Sequence, residues 1–473
     1  MPRRTKIVAT LGPAVASLEK LRELVAAGVD VMRINFSHGK AADHGRLAAL
    51  AREAAKAENR DVALLADLQG PKIRIDGFRD GPVELEDGQA FVLDAELDPR
   101  GGDQTRVGLT YKDLPRDVQP GDVLLLDDGL IALGVERVEG ARIHTRVEMG
   151  GRLSDNKGIN RQGGGLSAPA LTDKDREDIR TAAELDVDYL AISFPRSADD
   201  VEQAKQLLRA AGGQAGMIAK IERAEAIEAI DEIILASDGV MVARGDLAVE
   251  IGDAELPAVQ KMIIHRAREL NRVVIVATQM MESMITQPRP TRAEVLDVAN
   301  AVMDGADAVM LSAETATGKY PIRVVEAMNR VCVGAEKQPR TQRSRHRLDS
   351  RFQRIDEAIA MATMYTANHL DVRAIVALTE SGSTPLWMSR IRSGIPIYAL
   401  TRHESTRRRV TLYRGVYPVP YDILHHEPRR ILEDAADLLI GMDAVEKGEL
   451  LIFTKGDFEG VAGGTNAMKI ITA

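Results

Sequence analysis

The 473-residue chain predicts an α/β protein: a closed (β/α)8 barrel, a lid of β-strands inserted at one face of it, and a separate C-terminal α/β domain. Three observations predict this. Eight short apolar runs alternate with helix-patterned segments, the count for a closed barrel of parallel strands. One long interval instead alternates apolar and polar residues two by two, with Asp-Gly and Glu-Gly turns, as half-buried strands do. Beyond an Arg- and Gln-rich stretch, the helix–strand rhythm resumes to the end of the chain.

The eight runs are Lys6–Thr10, Asp30–Ile34, Val62–Asp67, Tyr189–Ser193, Met217–Ile221, Gly239–Ala243, Val273–Thr278 and Ala306–Leu311. The first follows a basic N-terminus and resembles a leader peptide. Its apolar stretch is too short, however, and Gly12-Pro13 breaks it, so it is read as a strand. The barrel is expected over 1–70 and 167–336. The interval GPVELEDGQAFVLDAE, GDVLLLDDGL, ARIHTRVEMGG gives the inserted lid, 71–166, positioned to exclude water from the catalytic face. KQPRTQRSRHRLDSR, 337–351, is a solvated linker. The C-terminal domain, 352–473, opens with the helix DEAIAMATMYTANHL, then strands at Ala374–Leu378, Ile397–Leu400, Val416–Pro420, Leu450–Phe453 and Met468–Ile471.

Composition narrows function. A net charge of −9 argues against a general nucleic-acid binder, which needs a basic face. No apolar run is long enough to span a membrane. A single cysteine, Cys332, excludes an internal disulfide framework and fits a reducing cytoplasm. There is no GxxxxGK[ST] loop, no GxGxxG after a strand and no HExxH.

Barrels of this kind place their chemistry at the carboxyl ends of the strands. Those ends read Thr10, Arg33-Asn35-Ser37-His38, Asp67, Ser193, Lys220-Glu222, Arg244-Asp246, Thr278-Gln279 and Ser312-Glu314, while strand interiors stay Val, Ile, Ala and Met. Lys220 and Glu222 alternate with Ile221 and so share a face. If the next strand lies alongside, Asp246 joins them. Two bare carboxylates about 4 Å apart repel by roughly 4 kcal/mol at an effective dielectric near 20. A hard divalent cation removes that cost, so Glu222 and Asp246 are read as a clamp for Mg²⁺ or Mn²⁺. A surface salt-bridge cluster is the alternative reading of the same residues. Lys220 beside a metal suits charge neutralisation on a phosphoryl group, and ion pairing with a barrel carboxylate is its structural alternative. Gly245 and Asp246 open a helix whose free N–H groups suit a substrate carboxylate. Thr278 can relay a proton or simply cap.

MRINFSHG, LLADLQGPKIR, DNKGIN, AKIERAEA, GVMVARGDLAVEI, VATQMMESMI, PRPTRAEVLDVANAVMDGADAVMLSAETATGKYP and GGTNAMKI resemble pyruvate kinase, in that family's order and spacing across nearly the whole chain. The resemblance implies phosphoryl transfer from phosphoenolpyruvate to ADP with Mg²⁺ or Mn²⁺, followed by protonation of the enolate, in a cytoplasmic homotetramer. It gives Glu222 and Asp246 to the metal and Lys220, Arg33 and Arg74 to the phosphoryl groups. Gly245 and Asp246 go to the substrate carboxylate, and Thr278, with Ser312 and Glu314 nearby, to the proton network. Pro13, Asn35, His38, Arg74, Asp127 and Lys157 go to the nucleotide. Many members also use K⁺, held by groups matching Asn35, Ser37, Asp67 and the carbonyl at Leu68, and carry Thr-Lys-Gly-Pro-Glu after that aspartate. Here the run is Leu68-Gln69-Gly70-Pro71-Lys72, similar to the potassium-independent branch, with Lys72 in place of the cation. In the C-terminal domain, Thr379, Ser381, Gly382, Ser383 and Thr384 match a loop that binds a phosphorylated effector, assisted by the segment Gly456 to Thr465.

A metal-dependent lyase or aldolase acting on pyruvate or oxaloacetate would use the same acidic pair. It has no third anionic group to screen, so the lid, Lys220 and the paired arginines favour phosphoryl transfer. A sensor that binds phosphometabolites without turnover would not need the full catalytic set.

Overall fold

Eight parallel strands close into a barrel: β1 (Lys6–Thr10), β2 (Val31–Asn35), β3 (Ala63–Asp67), β4 (Tyr189–Ile192), β5 (Gly216–Ile221), β6 (Gly239–Ala243), β7 (Val273–Ala277) and β8 (Ala308–Leu311). Each pairs with its neighbours in sequence order, and β8 returns to β1. This is a computed structural model, and it describes residues 2–342, 352, 354–427, 429–456 and 463–473. Part of the expected linker and part of the segment Gly456 to Thr465 lie outside the described residues.

Period-two alternation sorts the strand residues into two cores. Ile7, Ala9, Met32, Ile34, Leu64 and Ala66 pack outward against the helices. Val8, Val31, Ala63, Leu65, Tyr189, Ala191, Ile218 and Met241 belong to a second cluster in the lumen. The crossover helices begin where their caps dictate. Thr172 accepts from the Asp175 N–H to start Asp173–Glu184, and Thr291 does the same with Glu294 for Arg292–Asp304. The expected run through Ser193 and the expected run through Thr278 both end one residue early, at Ile192 and Ala277. The cause is backbone geometry: Phe194, Thr278 and Gln279 adopt φ of 55°, 66° and 54°, which turns the chain out of the sheet.

Between β3 and Asp173–Glu184 lies a six-stranded sheet ordered Ile159–Arg161, Val123–Leu126, Ile131–Glu139, Arg142–Met149, Ala90–Asp94 and Arg106–Gly108. It is antiparallel except for the last pair. It has its own apolar core, including Ile75, Phe91, Leu124 and Ile143. Asp127, Asp128 and Gly129 all have positive φ, so the hairpin turns on residues that tolerate the left-handed region. Helix Ile355–His369 leads to a five-stranded sheet ordered Val416–Pro420, Ile397–Thr401, Val372–Leu378, Leu450–Gly456 and Thr465–Thr472, with the last strand antiparallel.

This last sheet packs at the amino ends of the barrel strands, and its Ile375, Ala399 and Ile452 continue the lumen cluster. Asp307, just before β8, is the polar centre of that junction. It accepts from Arg390 Nη1 at 2.8 Å, from the Val274 N–H at 3.0 Å and from the Arg414 N–H at 3.2 Å. Arg390 and Asp307 are each 1% exposed. Removing one partner strands a buried charge, so Asp307→Ala is expected to cost about 3–5 kcal/mol. Urea unfolding of the variant should show a midpoint well below that of the parent.

Candidate active site

The same alternation that fills the lumen with Val and Ile ends, one step from the carboxyl rim, in a polar layer. Thr10, Arg33, Asp67, Ser193 and Lys220 occupy the positions two beyond Val8, Val31, Leu65, Ala191 and Ile218. Arg33 Nε donates to Asp67 Oδ2 at 2.6 Å and Nη1 to Thr10 Oγ1 at 2.9 Å. Lys220 Nζ lies 3.3 Å from Asp67 Oδ1 and 2.9 Å from Glu222 Oε1, and donates to Ser193 Oγ at 2.7 Å. Burial acts to lower the Lys220 pKa, but the Asp67 and Glu222 carboxylates outweigh it and raise the value. Burial likewise opposes the Asp67 charge. Lys220 and Arg33 outweigh it and hold Asp67 below the usual carboxylate range.

Glu222 follows directly on β5, and Asp246 sits in the first turn of helix Arg244–Ile251, which grows out of β6. The two strands are paired, Ile221 against Val242, so both carboxylates stand on one rim. Glu222 Oε2 accepts from the Phe194 N–H at 2.9 Å. Burial pushes the Glu222 carboxyl up, Lys220 pulls it back, and the Asp246 charge pushes it up again. Among the described residues no group of three or more His, Cys, Asp or Glu forms a self-contained metal cage. Two oxygen-donor carboxylates that repel one another nevertheless fit a hard divalent ion completed by substrate oxygens and water, as Mg²⁺ is commonly held.

Lys72, from the barrel–lid junction, places its ammonium 3.1 Å from Asp246 Oδ1 and 4.0 Å from Asp128. It makes no ion pair with Asp67, whose two oxygens face Arg33 and Lys220. Asn35 lies opposite Asp67 in the β2–β3 register and accepts from the Ser37 N–H at 3.1 Å. The Leu68 carbonyl accepts from Ser193 Oγ at 2.8 Å. The expectation of a free Gly245 N–H is corrected: it donates to Thr278 Oγ1 at 3.0 Å, while that hydroxyl donates to the Ala277 carbonyl at 2.7 Å. Thr278 holds this position with φ of 66°, a conformation that costs a β-branched residue energy and is found at functional sites.

The remaining residues spread around the mouth. Ser312 caps the turn after β8, and its N–H donates to Glu314 at 2.6 Å. Pro13 opens a short turn after β1. The His38 carbonyl meets the His44 ring at 2.8 Å. Arg74 is not part of the buried cation layer. Its Nη1 donates to the Asn156 carbonyl at 2.8 Å on the lid, where Lys157 pairs with Asp127 at 2.7 Å. Far from the barrel mouth, the Gly382 N–H donates to Thr379 Oγ1 at 3.0 Å. Ser381 and Ser383 hydroxyls meet at 3.1 Å, and Thr384 Oγ1 meets Thr465 Oγ1 at 2.7 Å. Of these, Thr379, Ser383, Thr384 and Thr465 line a hollow with Arg402, Lys455 and Gly456.

Sequence reasoning missed two features. Asp67 is the shared counter-charge of both buried cations, and only the alternation of β3 could have hinted at it. Glu250 is the other. On helix Arg244–Ile251 it accepts from the Ala224 N–H at 2.9 Å and meets Asn160 of the lid at 3.4 Å, while its carbonyl accepts from the Gly163 N–H at 2.9 Å.

A closed (β/α)8 barrel with buried cations and an acidic pair at its carboxyl rim defines an enzyme that brings anionic reactants together. Comparison with known proteins makes this particular. Residues 2–325 match the family model for the pyruvate kinase barrel domain, and residues 357–471 match that for the pyruvate kinase alpha/beta domain. Pyruvate kinase II of Salmonella typhimurium is 56% identical over 480 residues, covering 99% of this chain and 98% of that protein. The pyruvate kinase of Haemophilus influenzae is 55% identical, covering 96% of each chain. That of Geobacillus stearothermophilus is 42% identical, covering 99% of this chain and 80% of its own. The chain belongs to the pyruvate kinase family, whose members transfer a phosphoryl group between phosphoenolpyruvate and ADP and generally use a divalent metal.

Glu250 gives this site a pH signature. Burial lifts its carboxyl from 4.5 to about 7 against the pull of the Ala224 N–H. The folded state therefore binds this proton more tightly than the unfolded chain, and the group's contribution to stability falls as pH rises from 4.5 to about 7. Glu250→Gln is expected to remove that slope and to stabilise the protein at pH 8 by up to about 3 kcal/mol. Thermal unfolding of parent and variant between pH 5 and pH 8 checks it.

Proposed function

We propose that this chain is a catalytically active pyruvate kinase of glycolysis, that it acts in the cytoplasm, and that the buried Arg33–Asp67–Lys220 layer beside the acidic pair carries its chemistry. Phosphoenolpyruvate and ADP are both anions and will not meet in line unless cations screen them. Lys220 and Arg33 present fixed positive charge to the transferring phosphoryl group, and Arg74 adds a third cation from the lid. Each such contact is typically worth about 3 kcal/mol of barrier.

Glu222 and Asp246 hold Mg²⁺ or Mn²⁺, whose chemistry is Lewis-acid neutralisation of phosphoryl and carboxylate oxygens. The N-terminal turn bearing Gly245 and Asp246 receives the substrate carboxylate, the Gly245 N–H exchanging its bond to Thr278 Oγ1 for one to the substrate. As the phosphorus leaves the enol oxygen for an ADP oxygen, the enolate left behind takes a proton at its methylene carbon. Thr278, with Ser312 and Glu314 nearby, belongs to the network that delivers it. Pro13, Asn35, His38, Asp127 and Lys157 contact the nucleotide. The reading divides the chain into barrel (1–70, 167–336), lid (71–166), linker (337–351) and regulatory domain (352–473). A phosphorylated effector sits on the Thr379–Thr384 loop, and the assembly is a homotetramer. Potassium is not required, because Lys72 supplies fixed positive charge at the barrel mouth, beside Asp246, in place of the K⁺ that other members hold at positions matching Asn35, Ser37 and Asp67.

A lactate-dehydrogenase-coupled assay with phosphoenolpyruvate, ADP and Mg²⁺ tests the activity. Lys220→Met is expected to lose at least about 100-fold in kcat while still binding Mn²⁺. Normal turnover by that variant would remove Lys220 from the mechanism. Run in tetramethylammonium buffer, the parent enzyme is expected to keep its rate, and a large gain on adding KCl would overturn the role given to Lys72.

A further inference from the structure

At the opposite end of the barrel from this site, four arginines line a hollow between the barrel base and the C-terminal domain, Arg4, Arg268, Arg392 and Arg414, and a fifth, Arg390, lies beside it. Two of them, Arg390 and Arg4, pair with a carboxylate through their guanidinium groups. Arg390 clamps Asp307, which also accepts from the Arg414 backbone N–H, while the Arg414 guanidinium donates to Thr5 Oγ1 at 2.7 Å and to the Ala306 carbonyl at 2.8 Å. Arg4 Nε lies 3.6 Å from Glu336, and Arg392 donates to the Asp304 carbonyl at 2.8 Å with that residue's charge nearby. Arg268 has no carboxylate partner. Among the described residues it forms no ion pair, and its one hydrogen bond runs from Nη2 to the Arg390 carbonyl at 2.9 Å. It is only 8% exposed.

The neighbouring groups make that isolation worse. A β-carbon placed on Gly305 would lie 2.9 Å from Arg268 Nη1 and 3.3 Å from Arg392 Nη2, so two guanidinium groups flank one bare glycine. Burial, reinforced by the charges of Arg392, Arg390 and Arg414 and opposed by that of Asp307, lowers the Arg268 pKa to about 9. A guanidinium with unused N–H donors, buried among others of its sign, is the arrangement that proteins complete with an anion. The nearest carboxylates, Asp307, Glu336 and Asp304, are already taken by Arg390, Arg4 and Lys261.

We propose that the hollow bounded by Arg268, Gly305, Arg392 and Ser393 is a binding site for a small inorganic oxyanion of the phosphate type, held by Arg268 and Arg392 and bridging the barrel to the C-terminal domain. The lining comes from both sides of the junction: Arg268 and Gly305 belong to the barrel, Arg392 and Ser393 to the C-terminal domain. Binding therefore ties the two together. The hollow is confined between packed elements, which favours a free ion over the phosphoryl end of a metabolite.

The test uses the full-length protein and inorganic phosphate, with chloride at matched ionic strength as the control for screening. The only tryptophan, Trp387, sits three residues before Arg390 and reports on this junction by fluorescence. Phosphate is expected to shift Trp387 emission and to raise Tm in the parent. Arg268→Met should lose the emission shift, bind one phosphate fewer per chain by equilibrium dialysis, and keep its coupled-assay kcat. Arg268→Lys, which retains the charge without the fork, should bind phosphate at least about tenfold more weakly. Glucose 6-phosphate should not reproduce the difference between parent and Arg268→Met, and if it does, the assignment to a free inorganic ion is overturned. Equal phosphate stoichiometry and equal emission shifts in parent and Arg268→Met would overturn the proposal, as would an equal response of the parent to chloride. If Arg268→Met does not fold, an unchanged phosphate affinity in Arg268→Lys overturns it alone.

Discussion

The buried carboxylate of Asp67 is the constraint on which the barrel mouth depends. Lys220 and Arg33 project into the same lumen, where low polarity makes one unpaired cation costly and two adjacent ones more so. Asp67, fully buried, gives one oxygen to each. That lets the protein carry permanent positive charge at a dry rim without deprotonating the lysine. Glu222 completes the arrangement from the other side of Lys220, and the net result is a set of fixed charges already oriented before any substrate arrives.

The strands bearing these groups were legible because runs of Val, Ile and Ala of strand length recur at crossover spacing. The shared face of Lys220 and Glu222 followed from period two. What depended on pairing between distant segments was not legible. Asp67 reads, in sequence, as a polar strand end and, by resemblance, as a group of the monovalent-ion site, not as a counter-charge. Its role as counter-charge needs β2, β3 and β5 in register, which local pattern does not fix. The engagement of the Gly245 amide by Thr278 was equally hidden, because it depends on a threonine adopting a left-handed backbone that no propensity favours. Strand ends shifted by a residue for the same reason, at Ser193 and at Thr278.

Lys72 illustrates the limit of reading charge from sequence. Its type and neighbourhood pointed to the barrel mouth, and its ammonium does lie there. Which carboxylate it meets is decided by the path of the chain between β3 and the lid, and that path brings it to Asp246. Position along the chain located the charge within the mouth but not its partner.

The two additions to the barrel are attached by different physics at its two ends. The lid meets the carboxyl rim through scattered polar contacts, Asn160 and Gly163 with Glu250 and Lys72 with Asp246, around a separate apolar core. Contacts of that kind are individually weak and can be exchanged for substrate contacts, which suits an element that must admit and enclose reactants. The C-terminal domain instead continues the lumen's own apolar cluster and anchors on the fully buried Arg390–Asp307 pair. A continuous core of this kind responds to change as a unit. Any ligand that alters the charge balance at the base therefore acts on the floor of the same barrel whose upper layer holds Arg33, Asp67 and Lys220. Because Ile218 and Lys220, Leu65 and Asp67 are successive inward positions on single strands, one alternation carries both the packing of the base and the charge of the mouth.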